Sequence, residues 1–134
     1  MMEQTPVLTV RVLTKPEKTV RGKKRDVVIV PFTGTAEGPM FTGLVSGEGV
    51  DTQKYDKEGR GLLSARYLLE GTDMTGRPCR IFIENEGSFD RGFRPLIVTD
   101  SPSLAFLEDM DARATVEPAP DGVTVRIFKG DDRT

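Results

Sequence analysis

Apolar and polar residues alternate over short segments through most of the chain, and glycine- or proline-rich segments separate them. A period of two residues is typical of β-strands that have one buried and one exposed face. In Val7–Leu13, for example, Leu8, Val10 and Val12 share one face, and the residues between them are polar. The pattern therefore predicts a protein built mainly of strands.

Eight segments alternate in this way or are apolar enough to form buried strands. They are Val7–Leu13, Val27–Phe32, Val50–Tyr55, Leu62–Leu69, Cys79–Asn85, Pro95–Thr99, Ala112–Glu117 and Val123–Phe128. The continuously apolar Val27–Phe32 indicates a strand buried on both faces. Leu62–Leu69 also fits a helical period, but its flanking glycines and strand neighbours favour a strand.

The connections carry turn residues, and one of them carries a helix signal. Asp100–Ser103, with an early proline and capping side chains, predicts a short helix over Ser103–Met110. Thr14–Arg25 is predicted to be a loop. The three glycines between Gly34 and Gly43 indicate a strand that bends strongly, as closure into a barrel requires.

Together these elements predict an all-β, single-domain, antiparallel up-and-down β-barrel of about eight to nine strands. We expect it to be lipocalin-like or calycin-like, with one short helix near residues 103–110. The domain is expected to span residues 1–134, with disordered tails at 1–6 and 130–134. A barrel of this size encloses either side chains or one small ligand.

Composition excludes several kinds of chemistry. The 134 residues include no histidine and one cysteine, Cys79. Catalytic triads, histidine bases, an intrachain disulfide and imidazole or multi-cysteine metal sites are therefore absent. Cys79 is expected to be a small core residue, and we expect no metal and no cofactor.

Charge and hydropathy exclude several kinds of partner. The formal net charge of −2, with both signs interspersed, indicates no general nucleic-acid surface. No apolar segment is long enough for a transmembrane helix, and the N-terminal residues do not resemble a signal peptide. The prediction is a cytoplasmic protein without nucleic-acid or membrane partners.

Three polar residues, Asp51, Arg66 and Asn85, stand in predicted strands where core residues are expected. Alternation places Asp51 on one face with Gln53 and Tyr55, and places Asn85 on an apolar inner face. Whether Asp51 and Arg66 also point inward stays open, because Ala65, Tyr67 and Leu69 make an equally apolar alternative face.

The order of short motifs along the chain resembles the domain of unknown function 3237 family. The motifs are G-T-A-E-G-P (Gly34–Pro39), G-V-D (Gly49–Asp51), A-R-Y (Ala65–Tyr67), I-F-I-E-N-E-G (Ile81–Gly87) and A-F-L-E (Ala105–Glu108). The resemblance extends from Val7 to Phe128. It departs from the family at Asp73–Gly76, where Asp-Gly is usual, and at Phe106, where a tryptophan or other large aromatic is usual. It implies a small bacterial or fungal β-barrel and no established activity.

Three functions stay open at this point. The first is a barrel that binds a small anionic or carbonyl-bearing ligand through Asp51, Gln53, Arg66, Tyr67 and Asn85. The second is a cofactor-independent lyase or isomerase in which Asp51 is the base and Arg66 stabilises negative charge. The third is a structural module that self-associates as a homo-oligomer. A cross-strand Asp51–Arg66 ion pair without a ligand is about as expected as a functional pair.

Overall fold

The computed structural model describes residues 4–130. Over that range the chain forms ten β-strands and one short 3₁₀ helix. The strands are β1 (Leu8–Thr14), β2 (Lys18–Arg21), β3 (Arg25–Gly38), β4 (Phe41–Val45), β5 (Gly49–Asp56), β6 (Gly61–Asp73), β7 (Pro78–Ser88), β8 (Gly92–Thr99), β9 (Ala112–Ala119) and β10 (Gly122–Lys129), and the helix (Pro102–Glu108) lies between β8 and β9.

Antiparallel pairing closes the sheet into a barrel with eight positions around its wall. β1 pairs with β10 on one side and with β3 on the other, which joins the two ends of the sheet. β4 and β5 lie end to end between β3 and β6 and share one position. The predicted all-β antiparallel barrel is therefore confirmed.

Two local predictions were wrong. The predicted loop Thr14–Arg25 contains β2, which pairs with the first part of β3, on the same edge of β3 that pairs with β1 further along. The predicted strand Val27–Phe32 is part of the much longer β3, and it is buried on one face only, because Ile29 is 40% exposed. The barrel wall is one sheet thick here, so only the inward side chains are covered.

The core fills one end of the barrel. Side chains that are almost completely buried come from strands on all sides: Val10, Leu69, Ile81, Ile83 and Ile127. Leu104 and Leu107 of the 3₁₀ helix are also buried and close this end. Each such side chain contributes about 1.5–3 kcal/mol by leaving water.

The predicted helix is present, but it is a 3₁₀ helix and its start differs from the prediction. Ser101 holds the capping position, but its side chain makes no capping hydrogen bond to a helix amide. Its hydroxyl instead donates to Asp73 Oδ2 at 2.7 Å, and Asp100 Oδ1 accepts from the Arg80 amide at 2.8 Å. The polar residues before the helix therefore attach it to the β6–β7 hairpin.

The wall is weakest between β8 and β9. A single residue pair, Phe93 and Ala114, joins these strands, whereas β6 and β7 share ten. The 3₁₀ helix occupies the connection and packs its two leucines into the core. Side-chain packing thus replaces backbone pairing along part of this seam.

Close backbone approach explains one of the glycines in the bending segment. Gly43 of β4 lies opposite Gly71 of β6. A Cβ atom on Gly71 would lie 2.0 Å from the Thr42 carbonyl oxygen, and one on Gly43 would lie 2.4 Å from that of Glu70. Any side chain would force these strands apart.

The β5–β6 and β6–β7 hairpins use the same five-residue turn, with sequence D-x-x-G-R. In Asp56–Arg60 and Asp73–Arg77, the aspartate amide donates to the arginine carbonyl at 3.0 Å. Gly59 and Gly76 have φ of 87° and 83°, a conformation that favours glycine. In each turn the aspartate carboxylate accepts two further backbone amides. The repeated turn fixes the register of both hairpins.

Residues 1–3 and 131–134 of the predicted tails lie outside the described residues. Gln4 donates a side-chain hydrogen bond to the Lys129 carbonyl, and the Gly130 amide donates to the Asp111 carbonyl. Among residues 4–130, no helix is long and apolar enough to cross a membrane.

We predict that Asp73→Ala lowers the melting temperature more than Asp56→Ala does. Both substitutions remove the carboxylate that holds a hairpin turn, but only Asp73 is buried (5% exposed) and also binds Ser101. Removing one partner of a buried hydrogen bond destabilises a fold more than removing an exposed one, because the remaining polar group stays buried without a partner. Circular dichroism during heating measures the difference, and equal decreases would contradict the importance of the Ser101 contact.

The same pair of variants tests a pH dependence. Hydrogen bonds, first the one from the Thr75 side chain, hold the pKa of the Asp73 carboxyl well below its usual value. Its stabilisation is complete above the unfolded-state pKa of about 3.9 and is lost as the pH falls towards the lower folded-state pKa. The stability difference between wild type and Asp73→Ala should therefore decrease below about pH 4.

Candidate functional site

A cavity of about 510 Å³ occupies the end of the barrel opposite the 3₁₀ helix. Its opening lies near Glu17, the β7–β8 turn with Phe89, and the β9–β10 turn with Asp121. The inward faces of eight strands supply most of its wall. The apolar part of the lining includes Val12, Val30, Phe32, Phe93, Val123 and Val125. The cavity is thus an apolar lumen with access to solvent at one end.

Three polar side chains of β5 form a row down one wall. Asp51, Gln53 and Tyr55 share one face of β5, as the sequence predicted, and that face points inward, which the sequence had left open. The Tyr55 hydroxyl donates to Gln53 Oε1 at 2.7 Å, and Gln53 Nε2 donates to Asp51 Oδ2 at 2.8 Å. Asp51 is the deepest member and the final acceptor.

Burial alters the acidity of this row. It raises the pKa of the Asp51 carboxyl, and the hydrogen bond from Gln53 opposes the shift only in part. Burial also raises the pKa of the Tyr55 hydroxyl, with a further contribution from the Asp51 charge. Both shifts favour the neutral forms of the two groups.

The position of Tyr55 depends on a glycine in the neighbouring strand. A Cβ atom on Gly61 would lie 2.5 Å from Tyr55 Cε1. The tyrosine ring therefore packs directly over the β6 backbone near the opening. Substitution of Gly61 would displace the ring and with it the outer end of the hydrogen-bonded row.

A second row crosses three strands at the level of Asp51. Asp51 lies opposite Ala65 of β6, and Ala65 lies opposite Asn85 of β7. All three side chains line the cavity. Adjacent strands are about 4.8 Å apart, so the Asp51 and Asn85 backbones are about 9–10 Å apart. The small alanine leaves the space between the two polar groups open.

Two lumen residues carry buried polar atoms without a hydrogen-bond partner. They are Tyr67 Oη and Asn85 Oδ1, on side chains that are only 4% and 5% exposed. The Tyr67 ring packs edge-on against Phe32, with centroids 5.4 Å apart, and burial raises the pKa of its hydroxyl far above the usual value. Most buried polar groups in proteins are hydrogen-bonded, so two orphaned atoms on residues that line one cavity are unusual.

Arg66 does not belong to the lumen. It lies opposite Val50, one residue out of step with Asp51, so the two side chains point to opposite faces of the wall. Arg66 Nε instead pairs with Glu84 Oε2 at 2.9 Å on the outer surface, and its side chain is 66% exposed. The predicted Asp51–Arg66 pair is therefore not formed.

The charged residues that line the cavity are all acidic: Glu17, Asp51 and Asp121. No lysine or arginine is part of the lining, which consists entirely of described residues. Among residues 4–130, no three acidic, cysteine or histidine side chains converge closely enough to hold a metal ion. The charged side chains of the lining therefore all carry a carboxyl group, and they do not form a metal site among the described residues.

Several lining residues were not identified from the sequence. Glu17 lies in the segment taken as a loop, and Asp121 lies in a turn, so neither carried a site signal. Phe89, 70% exposed, stands at the opening and packs edge-on against Phe93 with centroids 5.3 Å apart. Ala65 could have been found only if the register between strands had been known.

Cys79 lies at the closed end of the barrel, away from the lumen. It is 6% exposed and part of the core, as predicted. Burial is the main cause that raises the pKa of its thiol. A protonated thiol is a poor nucleophile, which agrees with a packing role.

Known proteins share this architecture. A protein of unknown function from Clostridium acetobutylicum ATCC 824 superposes with a TM-score of 0.79 and 21% identity, over 96% of this chain and 99% of its own. A beta-barrel like protein from Acinetobacter baumannii AYE gives 0.75 and 18%, over 94% of each chain. An enzyme from Penicillium herquei gives 0.69 and 17%, over 95% and 98%. At these identities the likeness shows the fold alone.

The sequence itself matches one described family, whereas no curated protein matches it. The match covers residues 2–114 and carries the description "Protein of unknown function (DUF3237)". It includes the segments that resembled this family and all the lumen residues of β5, β6 and β7. Because it spans most of the chain, the protein belongs to the DUF3237 family.

Proposed function

We propose that the protein binds one small, mostly apolar molecule in the lumen of the barrel. The observation that carries this proposal is the pair of orphaned polar atoms, Tyr67 Oη and Asn85 Oδ1, on two residues that line a cavity of about 510 Å³. An unpaired buried polar group costs about 1–3 kcal/mol. A ligand with matching polar groups would recover part of that free energy on binding.

The size and lining of the cavity support a ligand of this kind. Small-molecule sites usually have volumes of about 300–1,000 Å³ and mostly apolar walls with a few polar groups that orient the ligand. Here the apolar wall would cover the body of the ligand. Asp51, Asn85 and Tyr67 would form its polar contacts, in a barrel that encloses one molecule as lipocalin-type barrels do.

The polarity of the lumen argues against the anionic ligand that the sequence suggested. That expectation depended on Arg66, which pairs with Glu84 outside the barrel. The charged lining groups are carboxylates, which would repel an anion in a site of low dielectric. We therefore propose a ligand without negative charge.

We predict that Ala65→Leu abolishes binding of the neutral fluorophore N-phenyl-1-naphthylamine, whereas Arg66→Ala leaves it unchanged. The larger side chain would fill the space between Asp51 and Asn85, and the neighbouring substitution alters only the outer face. Fluorescence titration measures both affinities, with a decrease of tenfold or more expected for Ala65→Leu, or about 1.4 kcal/mol. Equal affinities for the two variants would argue against a lumenal site.

A second prediction concerns the orphaned hydroxyl. Tyr67→Phe should leave the melting temperature of the ligand-free protein unchanged or higher, because it removes an unsatisfied buried group. It should weaken binding of the neutral ketone 2-acetylnaphthalene by about fivefold to tenfold, since one hydrogen bond is lost. Competition against the fluorophore gives the affinity. A destabilised variant with unchanged affinity would assign Tyr67 a structural role only.

A second function is supported by the position of Asp51. Burial raises the pKa of its carboxyl, and a carboxylate held in an apolar cavity is a stronger base than one in water. The Tyr67 hydroxyl, a donor in the same lumen, could stabilise negative charge as it develops. We propose, as the alternative, an enzyme of lyase or isomerase type; the structurally similar protein from Penicillium herquei is itself described as an enzyme.

Proton abstraction by Asp51 can be tested with 5-nitrobenzisoxazole. A base removes the proton on carbon as the N–O bond breaks, which yields a coloured cyanophenolate. We expect wild type to accelerate this elimination at least about a hundredfold more than Asp51→Asn, a typical contribution of general-base catalysis. Glu86→Gln, the same chemical change at an exposed position, is the control. Equal rates for wild type and Asp51→Asn would exclude the basic role.

A further inference from the structure

We propose that the ligand is a protonated amine with an apolar body, whose ammonium group lies over Ala65 between Asp51 and Asn85. This inference rests on the proposed binding function and specifies the chemical class of the ligand. Three features of the described lumen support it: the unused oxygen of Asp51, the unpaired amide of Asn85, and the charge and aromatic rings of the lining.

The first feature is the unused oxygen of Asp51. Gln53 occupies Oδ2, and Oδ1 accepts no hydrogen bond within residues 4–130. Ten ion pairs occur among these residues, and Asp51 takes part in none of them. Carboxylates that are withdrawn from water are normally paired with a cation. The part-buried Asp51 has no such partner among the described residues, so a cationic ligand could supply it.

The second acceptor is the Asn85 amide across the same row. Neither end of this amide is hydrogen-bonded within the described residues, and its Oδ1 is fully buried. A half-turn of the amide exchanges oxygen and nitrogen and brings the oxygen to the lumen. An ammonium group has three donors and would satisfy both Asp51 and Asn85, whereas an alcohol has one donor and would leave an acceptor unpaired.

The third feature is the distribution of charge and aromatic rings. Glu17 and Asp121 at the opening share the sign of Asp51, so the charged groups of the lining favour a cation over an anion. The rings of Phe32, Phe89 and Phe93 line the path from the opening inward. Aromatic faces attract ammonium groups and also cover an apolar body.

Three compounds of similar size separate this inference from the proposed binding function. They are 2-phenylethylamine, 2-phenylethanol and 3-phenylpropanoate, which are cationic, neutral and anionic at neutral pH. Each is titrated against the complex of the full chain with N-phenyl-1-naphthylamine. We expect the amine to bind at least about tenfold more tightly than the alcohol. The carboxylate should bind weakest.

Asp51→Asn identifies the group responsible for the preference. The ratio of amine affinity to alcohol affinity should fall from about ten or more to about one, because the substitution removes the charge and keeps the shape. Glu84→Gln, the same change on the outer face, should leave the ratio unchanged. Circular dichroism confirms that both variants are folded.

The outcomes are distinguishable. If the alcohol or the carboxylate binds as tightly as the amine, or if the amine fails to displace a bound fluorophore, the amine inference is overturned while lumenal binding stands. A preference that persists in Asp51→Asn overturns it as well. If neither the fluorophore nor any of the three compounds binds, the proposed binding function fails.

Discussion

The hydrogen-bond register between β5, β6 and β7 determines which side chains meet inside the barrel. Because Asp51 lies opposite Ala65, and Ala65 opposite Asn85, these residues share the inner face and Arg66 must point outward. A shift of one residue would exchange the two faces of a strand. The D-x-x-G-R turn between β5 and β6 prevents that shift. It lies at the rim of the barrel, outside the lining of the cavity, yet it decides which side chains of the two strands point into the lumen.

Local sequence signals were sufficient for the fold class and for half of the site. Alternation within one strand placed Asp51, Gln53 and Tyr55 on a common face and Asn85 on the inner face. The orientation of Arg66 was not predicted, because both faces of its strand carry leucines. The register with β5, which decides the orientation, cannot be read from the sequence. The strand β2 was missed since all of its residues are exposed and no pattern of burial distinguishes them.

The lumen keeps polar groups where apolar ones would give a more stable barrel. Asp51 is desolvated without a cation, and the hydroxyl of Tyr67 has no partner. Such groups reduce the stability of a fold, and they persist in natural proteins mainly at functional sites. The elements around them are conventional: a leucine- and isoleucine-rich core closes one end, and ion pairs cover the outer face. Of the three unpaired buried side-chain atoms in the described residues, two belong to lumen residues, and the third is Ser64 Oγ.

The single residue pair between β8 and β9 has a consequence for how this fold varies in length. Elsewhere around the wall, one inserted residue would shift the hydrogen-bond register between two strands by one position, and inner side chains would then point outward. Between residues 100 and 111, the chain is held by Leu104 and Leu107 instead of a ladder. Insertions and deletions in that connection would change the helix and leave the β5–β7 register intact. Relatives can therefore differ in size there while they retain the same lumen.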